Sequence, residues 1–277
     1  MRRGWIAAAL VACRSEPTAP APPVAISTAN ANATSTSTST SSSTPTAPAT
    51  PTARAHVDTD WCIDGLTALD VETCYVLPAP KPRRLLLYLH GITPPLPESP
   101  QKRAVQSAVL AAATRAGAAA LVPRGVRGVG PGDAHDWWAW PTDPGSFEKL
   151  APSLLARFAD ARAKLESIAG APFERVYVAG SSNGAYFITM LAARADARFD
   201  GFGAISGGAA PRALAPPARP FYVGYGTYDP ETKTNARGLV RALEDAKWPV
   251  RAAEHPFGHG ARDVYLDEAF AFWDEPR

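Results

Sequence analysis

The chain has 277 residues, with 28 Lys and Arg against 26 Asp and Glu, which leaves a formal net charge of +2 at pH 7. Its basic residues are scattered along the chain, and this pattern argues against a nucleic-acid-binding surface. The length suits one large domain or two small ones.

The N-terminal segment MRRGWIAAALVAC has two arginines, then eight apolar residues from Trp5 to Ala12, then Cys13. Eight apolar residues are too few to span a bilayer, which needs about twenty, but they suit the apolar region of a signal peptide. LVAC resembles the lipobox of bacterial lipoproteins. That resemblance implies a signal peptide over 1–12 and lipid attachment to Cys13. An ordinary signal peptide and a wrongly assigned start codon are the alternatives.

The segment that follows is predicted to be a disordered tether over residues 13–56. Residues 27–53 are all Ser, Thr, Ala or Pro except Asn30 and Asn32, and such a stretch buries too little apolar surface to offset the entropy of ordering. Arg14 stands where an aspartate would resemble an inner-membrane retention signal. We therefore expect an exported protein, anchored in the outer membrane, with its domain in the periplasm or at the cell surface.

The remaining residues, 57–277, amount to about 220 residues, a suitable size for a single α/β domain. This part contains two cysteines, Cys62 and Cys74. Two cysteines left in an exported domain most simply pair, and a loop this short would stabilise the fold by roughly 3 kcal/mol. A zinc site is the alternative, but no histidine pair lies nearby.

From Cys74 onward, short apolar runs alternate with longer helical patterns, which predicts a mostly parallel sheet flanked by helices. The first two strands, separated by the turn APKP, are expected to form a pair. Ser99 is the predicted N-cap of the first helix, and Gly117 lies past its end. Strands are predicted over 73–78, 83–90, 119–123, 174–180, 200–207, 220–226 and 250–256, and helices over 99–117, 146–170, 183–196, 234–248 and 263–273.

A loop rich in Gly and Trp connects the third predicted strand to the second helix and contains the segment HDWWAW. Trp137, Trp138 and Trp140 are candidates for the wall of a substrate pocket. Packing beneath a long loop is the alternative interpretation, and aromatic clusters usually serve that purpose.

The sequence GSSNG lies between a fully apolar strand and a helix, and it fits the pattern G-x-S-x-G with Ser182 at the centre. This pattern makes a sharp turn that exposes one side chain at the end of the strand. The turn crowds the backbone, so the positions two residues either side, Gly180 and Gly184, must lack bulk. Ser181 has Ala179 and Asn183 at those positions, which favours Ser182 as the nucleophile.

A serine needs a general base and an orienting acid, which follow it in the chain order Ser, Asp or Glu, His in this kind of site. Two histidines follow Ser182. His255 lies inside the last predicted strand, whereas His259 lies in the Gly-flanked loop FGHGARD beyond it. We therefore expect His259 to be the base.

The predicted acid is Asp229, because it directly follows the strand PFYVGYG. A carboxylate there would reach a histidine on the next strand's loop, select its tautomer and stabilise the imidazolium. Glu231 and Asp263 are alternatives, but neither lies in the turn at the strand end. Read alone, Asp229 would be a turn former ahead of Pro230.

The negative charge that develops on a substrate carbonyl oxygen needs hydrogen-bond donors. LLLYLHGI is an apolar strand that ends in His90 and Gly91. The loop after this strand is expected to provide one donor to the oxygen, the backbone N–H of Ile92. The second expected donor is the backbone N–H of Asn183, the residue after the nucleophile. Such donors contribute roughly 3–4 kcal/mol each at the transition state. His90 precedes the nucleophile and is expected to shape the loop.

LLLYLHGI, YVAGSSNGAYF, GTYDP and FGHG, in this order, resemble an α/β-hydrolase, and most nearly the secreted polyhydroxybutyrate-depolymerase and feruloyl-esterase type. The resemblance covers nearly all of 73–273. It implies a serine hydrolase without metal or other cofactor that forms an acyl-enzyme, with Ser182, Asp229 and His259 as its triad. The loop ITPPLP replaces a glycine run, which leaves the second oxyanion donor open.

The leading hypothesis is therefore a lipid-anchored serine esterase acting on a small or polymeric ester. We expect membrane contact through the anchor only, no nucleic-acid partner and a monomer. A serine peptidase or amidase on the same fold uses the same triad. A catalytically silent hydrolase-like lipoprotein that binds an envelope partner is the third possibility, but the complete set of residues counts against it.

Overall fold

An eight-stranded, mostly parallel sheet forms the centre of the structure. The computed structural model describes residues 57–78 and 81–276, so the expected signal peptide, Cys13 and the tether lie outside the described residues. The strands are β1 (Thr67–Asp70), β2 (Thr73–Val76), β3 (Arg84–Leu89), β4 (Ala119–Pro123), β5 (Arg175–Ser181), β6 (Gly201–Ile205), β7 (Phe221–Gly226) and β8 (Val250–His255). Their order across the sheet is β1-β2-β4-β3-β5-β6-β7-β8. β2 is antiparallel to both of its neighbours, and every other neighbouring pair is parallel.

In the described residues, five α-helices connect and cover the strands: α1 (Pro100–Ala116), α2 (Pro144–Ala169), α3 (Asn183–Ala192), α4 (Pro230–Asp245) and α5 (Asp263–Trp273). Ser99 caps α1 by accepting a hydrogen bond from the N–H of Lys102, and Gly117 ends it at φ 61°, both as predicted. α4 begins four residues before its predicted start, because Asp229 provides an earlier N-cap. In the described part of the chain, no helix is long and apolar enough to cross a membrane.

The helices cover both faces of the sheet, and β3 shows how. Leu85, Leu87 and Leu89 enter one hydrophobic core, which they share with α2, α3 and α4. Leu86 and Tyr88 enter the other core, which contains residues of α1 and α5. Successive side chains of a strand point to opposite faces, so a strand with two buried faces is apolar throughout. The predicted α/β class is confirmed.

Two features at one edge of the sheet differ from the prediction. β1 was not expected, because TALD has no continuous apolar run, and it forms by antiparallel pairing with β2. β2 and β3 both form but are not neighbours, because β4 lies between them. The predicted disulfide is confirmed: it joins Cys62 to Cys74, with the two Cα atoms 5.5 Å apart.

Candidate functional site

Ser182 is the single residue that connects β5 to α3. β5 ends at Ser181 and α3 begins at Asn183, and Ser182 has φ 53° and ψ −122°, a backbone conformation that residues with a side chain rarely adopt. Its N–H donates to the carbonyl of Ile205 at 2.9 Å, and its own carbonyl accepts from the N–H of Tyr186 at 3.1 Å. The strained turn has the form that a nucleophile elbow requires.

Gly180 and Gly184 lie where the turn crosses the end of β3. A Cβ atom on Gly180 would come within 2.5 Å of the carbonyl oxygen of Leu89 and 2.9 Å of the Ile188 side chain. A Cβ atom on Gly184 would collide with the backbone of Leu89 and His90. The lack of bulk that the sequence pattern demanded at these two positions is therefore confirmed.

His259 and Asp229 are in direct contact. Nδ1 of His259 lies 2.7 Å from Oδ2 of Asp229; the imidazole is half-exposed, whereas the carboxylate is only 6% exposed. An ionised carboxylate only accepts hydrogen bonds, so Nδ1 carries the proton. This tautomer leaves the lone pair on Nε2, which is the atom that a general base uses.

The carboxyl group of Asp229 stays ionised despite its burial. Burial alone would raise its pKa, but hydrogen bonds from the side chains of Thr232 and His259 outweigh that effect and hold the pKa below its usual range. Asp229 also caps α4, since its Oδ1 accepts from the N–H of Thr232 at 3.5 Å. One carboxylate therefore starts a helix and orients the imidazole.

The loop that carries His259 is held by contacts with two neighbouring strand ends. The buried hydroxyl of Ser206, directly after β6, donates to the carbonyl of Gly260 at 3.1 Å. The N–H of Tyr228, after β7, donates to the carbonyl of Phe257 at 3.0 Å. Ser206 has no local sequence pattern that would indicate a contact with a residue 54 positions along the chain.

The alternatives for base and acid have other partners. Nε2 of His255 lies 2.9 Å from Oε1 of Glu268. Asp263 forms an ion pair with Arg115 at 2.8 Å, and Glu231 is exposed in the first turn of α4. The structure therefore brings His259 together with Asp229 and with none of these groups. The competing serine, Ser181, is the last residue of β5 and is 2% exposed.

Both expected oxyanion donors lie near Ser182: Asn183 is the next residue in the chain, and Ile92 lines the same cleft. Asn183 is the first residue of α3, and the N–H groups of a helix's first turn have no partner within the helix. Ile92 lines the same cleft as Ser182. The loop after β3 is fixed just beyond it, because Thr93 exchanges two backbone hydrogen bonds with Trp138, each of 2.9 Å.

Trp140 belongs to the core, which makes the pocket hypothesis wrong for this residue. It is 0% exposed, and its Nε1 donates to the carbonyl of His90 at 2.9 Å. Its backbone N–H donates to Oδ1 of Asn183 at 2.6 Å, and Nδ2 of Asn183 donates to its carbonyl at 3.0 Å. The Asn183 side chain thus holds the tryptophan loop against α3, a role that the sequence had not indicated.

Trp137 and Trp138 are not among the residues that line the cleft containing Ser182, so for these two residues the pocket hypothesis stays a prediction. The ring of Trp138 lies under the guanidinium of Arg124, with 4.3 Å between the Arg124 Cζ and the ring centroid. Trp137 is 36% exposed. The loop turns its indoles toward the core, toward arginines and toward solvent.

His90 is a structural histidine, as its place in the chain had indicated. It is fully buried, and its Nε2 accepts a hydrogen bond of 2.8 Å from the N–H of Gly125. Its Nδ1 then carries the hydrogen and contacts the carbonyl of Gly91. Burial, helped by two nearby arginines, lowers its pKa to about 4. His90 is therefore neutral at physiological pH and joins β3 to the following loop.

Ser182 and His259 share a cleft of about 510 Å³. Its lining also includes Ile92 and its two neighbours, residues of the first turns of α1, and the segment 259–262. The described residues include no group of three or more His, Cys, Asp or Glu side chains arranged to hold a metal ion. The groups in this cleft suit proton transfer and nucleophilic attack.

Comparison with solved structures identifies the fold. A Bacillus cereus carboxylesterase is 17% identical, with a TM-score of 0.55 over 73% of this chain and 92% of that one. A carboxylesterase from Mesorhizobium loti is 17% identical, with a TM-score of 0.53 over 76% and 96% of the two chains. Esterase PE8 is 19% identical, with a TM-score of 0.51 over 72% and 95%. No family model matches the sequence, and no curated protein does. The chain has the α/β-hydrolase fold.

Proposed function

We propose that this protein is a serine hydrolase that cleaves a carboxylic ester through an acyl-enzyme on Ser182. One observation carries the proposal: Ser182 has φ 53° at the end of β5 and shares its cleft with His259, whose Nδ1 is 2.7 Å from Asp229. A strained serine beside an oriented imidazole is the arrangement that nucleophilic acyl transfer needs.

In the proposed reaction, Oγ of Ser182 attacks the ester carbonyl while Nε2 of His259 takes its proton. Asp229 stabilises the imidazolium, and the N–H groups of Ile92 and Asn183 bind the oxyanion. His259 then protonates the departing alcohol, which leaves the acyl group on Ser182. A water molecule, deprotonated by the same imidazole, hydrolyses the acyl-enzyme and regenerates the serine.

An ester is favoured over an amide because the similar structures are described as carboxylesterases and an esterase. The motif GSSNG, with its resemblance to the polyhydroxybutyrate-depolymerase and feruloyl-esterase type, supports polymeric and hydroxycinnamoyl esters as substrates to test. The complete Ser182, Asp229 and His259 set speaks against a silent binding protein.

A fluorophosphonate probe and a panel of p-nitrophenyl esters test the proposal. Wild-type protein should be labelled and should hydrolyse at least one ester, Ser182→Ala should do neither, and Ser181→Ala should still be labelled. Labelling that persists in Ser182→Ala and disappears in Ser181→Ala would contradict the choice of nucleophile. A wild-type protein with neither labelling nor turnover would favour the binding protein.

We also propose that the protein is exported and anchored through lipid on Cys13. The motif LVAC at 10–13 supports this, and so does the Cys62–Cys74 disulfide, because disulfides persist in oxidising compartments. Metabolic labelling with a palmitate analogue and membrane fractionation test the anchor. Cys13→Ser should lose the label and leave the membrane fraction, and a variant that stays there would disprove lipid attachment.

A further inference from the structure

Among the described residues that line the cleft of Ser182, Arg262 is the single permanently charged one. It lies three residues after His259 and immediately precedes α5. The other lining residues are uncharged at neutral pH apart from the imidazole of His259. A substrate in this cleft therefore meets one full positive charge and no negative charge from the cleft wall.

The guanidinium of Arg262 has no carboxylate partner among the described residues. Its neighbour Asp263 is engaged elsewhere, in an ion pair with Arg115 at 2.8 Å. Nη1 of Arg262 donates to the adjacent carbonyl of Ala261 at 2.8 Å, and Cζ lies 5.8 Å from the ring centroid of Phe257. A guanidinium has five N–H donors, so most of them remain for a ligand.

We infer that Arg262 binds a carboxylate on the alcohol portion of the substrate. This inference rests on the proposed function and narrows its substrate class to esters of hydroxy acids. His259 has to protonate the departing oxygen, so the alcohol portion lies against His259, and Arg262 belongs to the same short segment. The planar guanidinium matches a carboxylate with two parallel hydrogen bonds.

Arg262 takes no part in the proton transfers. The bond between the acyl carbon and the alkoxy oxygen breaks as the bond between that carbon and Oγ of Ser182 forms. The proton passes from Oγ through His259 to the alkoxy oxygen, and the first product leaves as a free hydroxy acid. Arg262 holds the carboxylate of that product before and during the transfer, which makes it a specificity-determining residue.

The test compares two acetate esters that differ only in charge, 4-carboxyphenyl acetate and its neutral amide, 4-carbamoylphenyl acetate. The readout is the ratio of kcat/KM for the anionic ester to that for the neutral ester. Arg262→Gln should lower this ratio about 10-fold, the usual effect of one lost hydrogen bond to a charged group. Arg262→Lys keeps the positive charge and should therefore retain part of the preference for the anionic ester. Arg241→Gln removes an exposed arginine on α4 and should leave the ratio unchanged.

Added salt supplies a second readout, since screening weakens an exposed ion pair. In about 0.5 M NaCl the wild-type ratio should fall toward that of Arg262→Gln. An unchanged ratio in Arg262→Gln would overturn the inference. A second outcome would also overturn it: Arg262 could favour an anionic ester only when the charge is on the acyl portion. In that case Arg262 would increase the preference for mono(4-nitrophenyl) succinate over 4-nitrophenyl butyrate and leave the preference for 4-carboxyphenyl acetate unchanged.

A binding measurement keeps this test separate from that of the proposed function. In the Ser182→Ala background, calorimetry with 4-hydroxybenzoate should give a Kd about 10-fold weaker when Arg262→Gln is added, and no change when Arg241→Gln is added. If the wild-type protein hydrolyses no ester, the proposed function fails, while this titration still reports on Arg262. An equal Kd with and without Arg262 would overturn the inference alone.

Discussion

Nδ1 of His259 and Oδ2 of Asp229 lie 2.7 Å apart, although 29 residues separate them in the chain. Asp229 follows β7 and His259 follows β8, and these strands are parallel neighbours. Both loops therefore leave the same end of the sheet, where β5 also ends, one residue before Ser182. The carboxylate is buried and its pKa lies below the usual range. It is therefore ionised when the imidazole becomes protonated, and its negative charge stabilises the imidazolium.

Asp229→Asn should lower kcat roughly 10⁴-fold, because an amide at this position favours the wrong imidazole tautomer. Asparagine is as good an N-cap as aspartate, so α4 and the thermal unfolding midpoint should be little affected. Asp229→Ala should also lose about 1 kcal/mol of stability with the cap. Steady-state kinetics and calorimetry separate the two effects. A kcat within about 10-fold of wild type in Asp229→Asn would disprove the orienting role.

Gly184→Ala should destabilise the fold by about 1–3 kcal/mol and reduce activity, since the added methyl group collides with the backbone at the end of β3. Gly238→Ala is the matched control on α4, where the nearest atom to an added Cβ is 4.0 Å away. That substitution should stabilise the protein by up to about 1 kcal/mol, the difference in helix propensity. Equal urea midpoints for the two variants would contradict the steric account of the turn.

Asn183→Ala should cost about 2–3 kcal/mol, because it leaves the buried N–H and carbonyl of Trp140 without partners. Asn183→Asp should cost a similar amount, since its second oxygen would face the Trp140 carbonyl. Asn235→Ala is the control: its amide donates to the hydroxyl of Tyr186 at 2.8 Å, but on an exposed surface. Chemical denaturation should show a change below about 0.5 kcal/mol for that variant.

The buried imidazole of His90 should make stability depend on pH. Its pKa is lowered by burial from 6.5 to about 4, so between these values the unfolded chain binds a proton that the folded protein does not. The stability that the neutral His90 imidazole contributes is therefore fully present above pH 6.5. The free energy of unfolding then decreases as the pH falls toward about 4, by up to about 3 kcal/mol.

The free energy of unfolding of wild type and of His90→Gln, measured at several pH values, should differ in slope across that interval. If His90→Gln does not fold, NMR titration of the His90 imidazole in the wild-type protein provides the same information. A His90 resonance that titrates near 6.5 would contradict the neutral, hydrogen-bonded imidazole.

The alternation of apolar strands and amphipathic helices was readable from the sequence because each depends on neighbours along the chain. Helix caps and tight turns also depend on neighbours along the chain. This is why the sequence indicated the caps Ser99 and Gly117 and the glycines on either side of Ser182. β1 was missed for the opposite reason: TALD becomes a strand only by pairing with β2. The order of the strands was likewise hidden, because pairing across a sheet leaves no local pattern.

At the site, the sequence by itself determined which residues have the chemistry for acyl transfer and in what chain order they occur. Only the tertiary structure decided that Trp140 packs in the core beside the Asn183 side chain and that Ser206 holds the loop after His259. It also decided that Arg262 lines the cleft with no carboxylate partner in the part of the chain that the structure describes. Each of these depends on residues that are distant in the chain and meet through packing. Local sequence encodes backbone conformation, whereas the partner of a side chain is set by the whole fold.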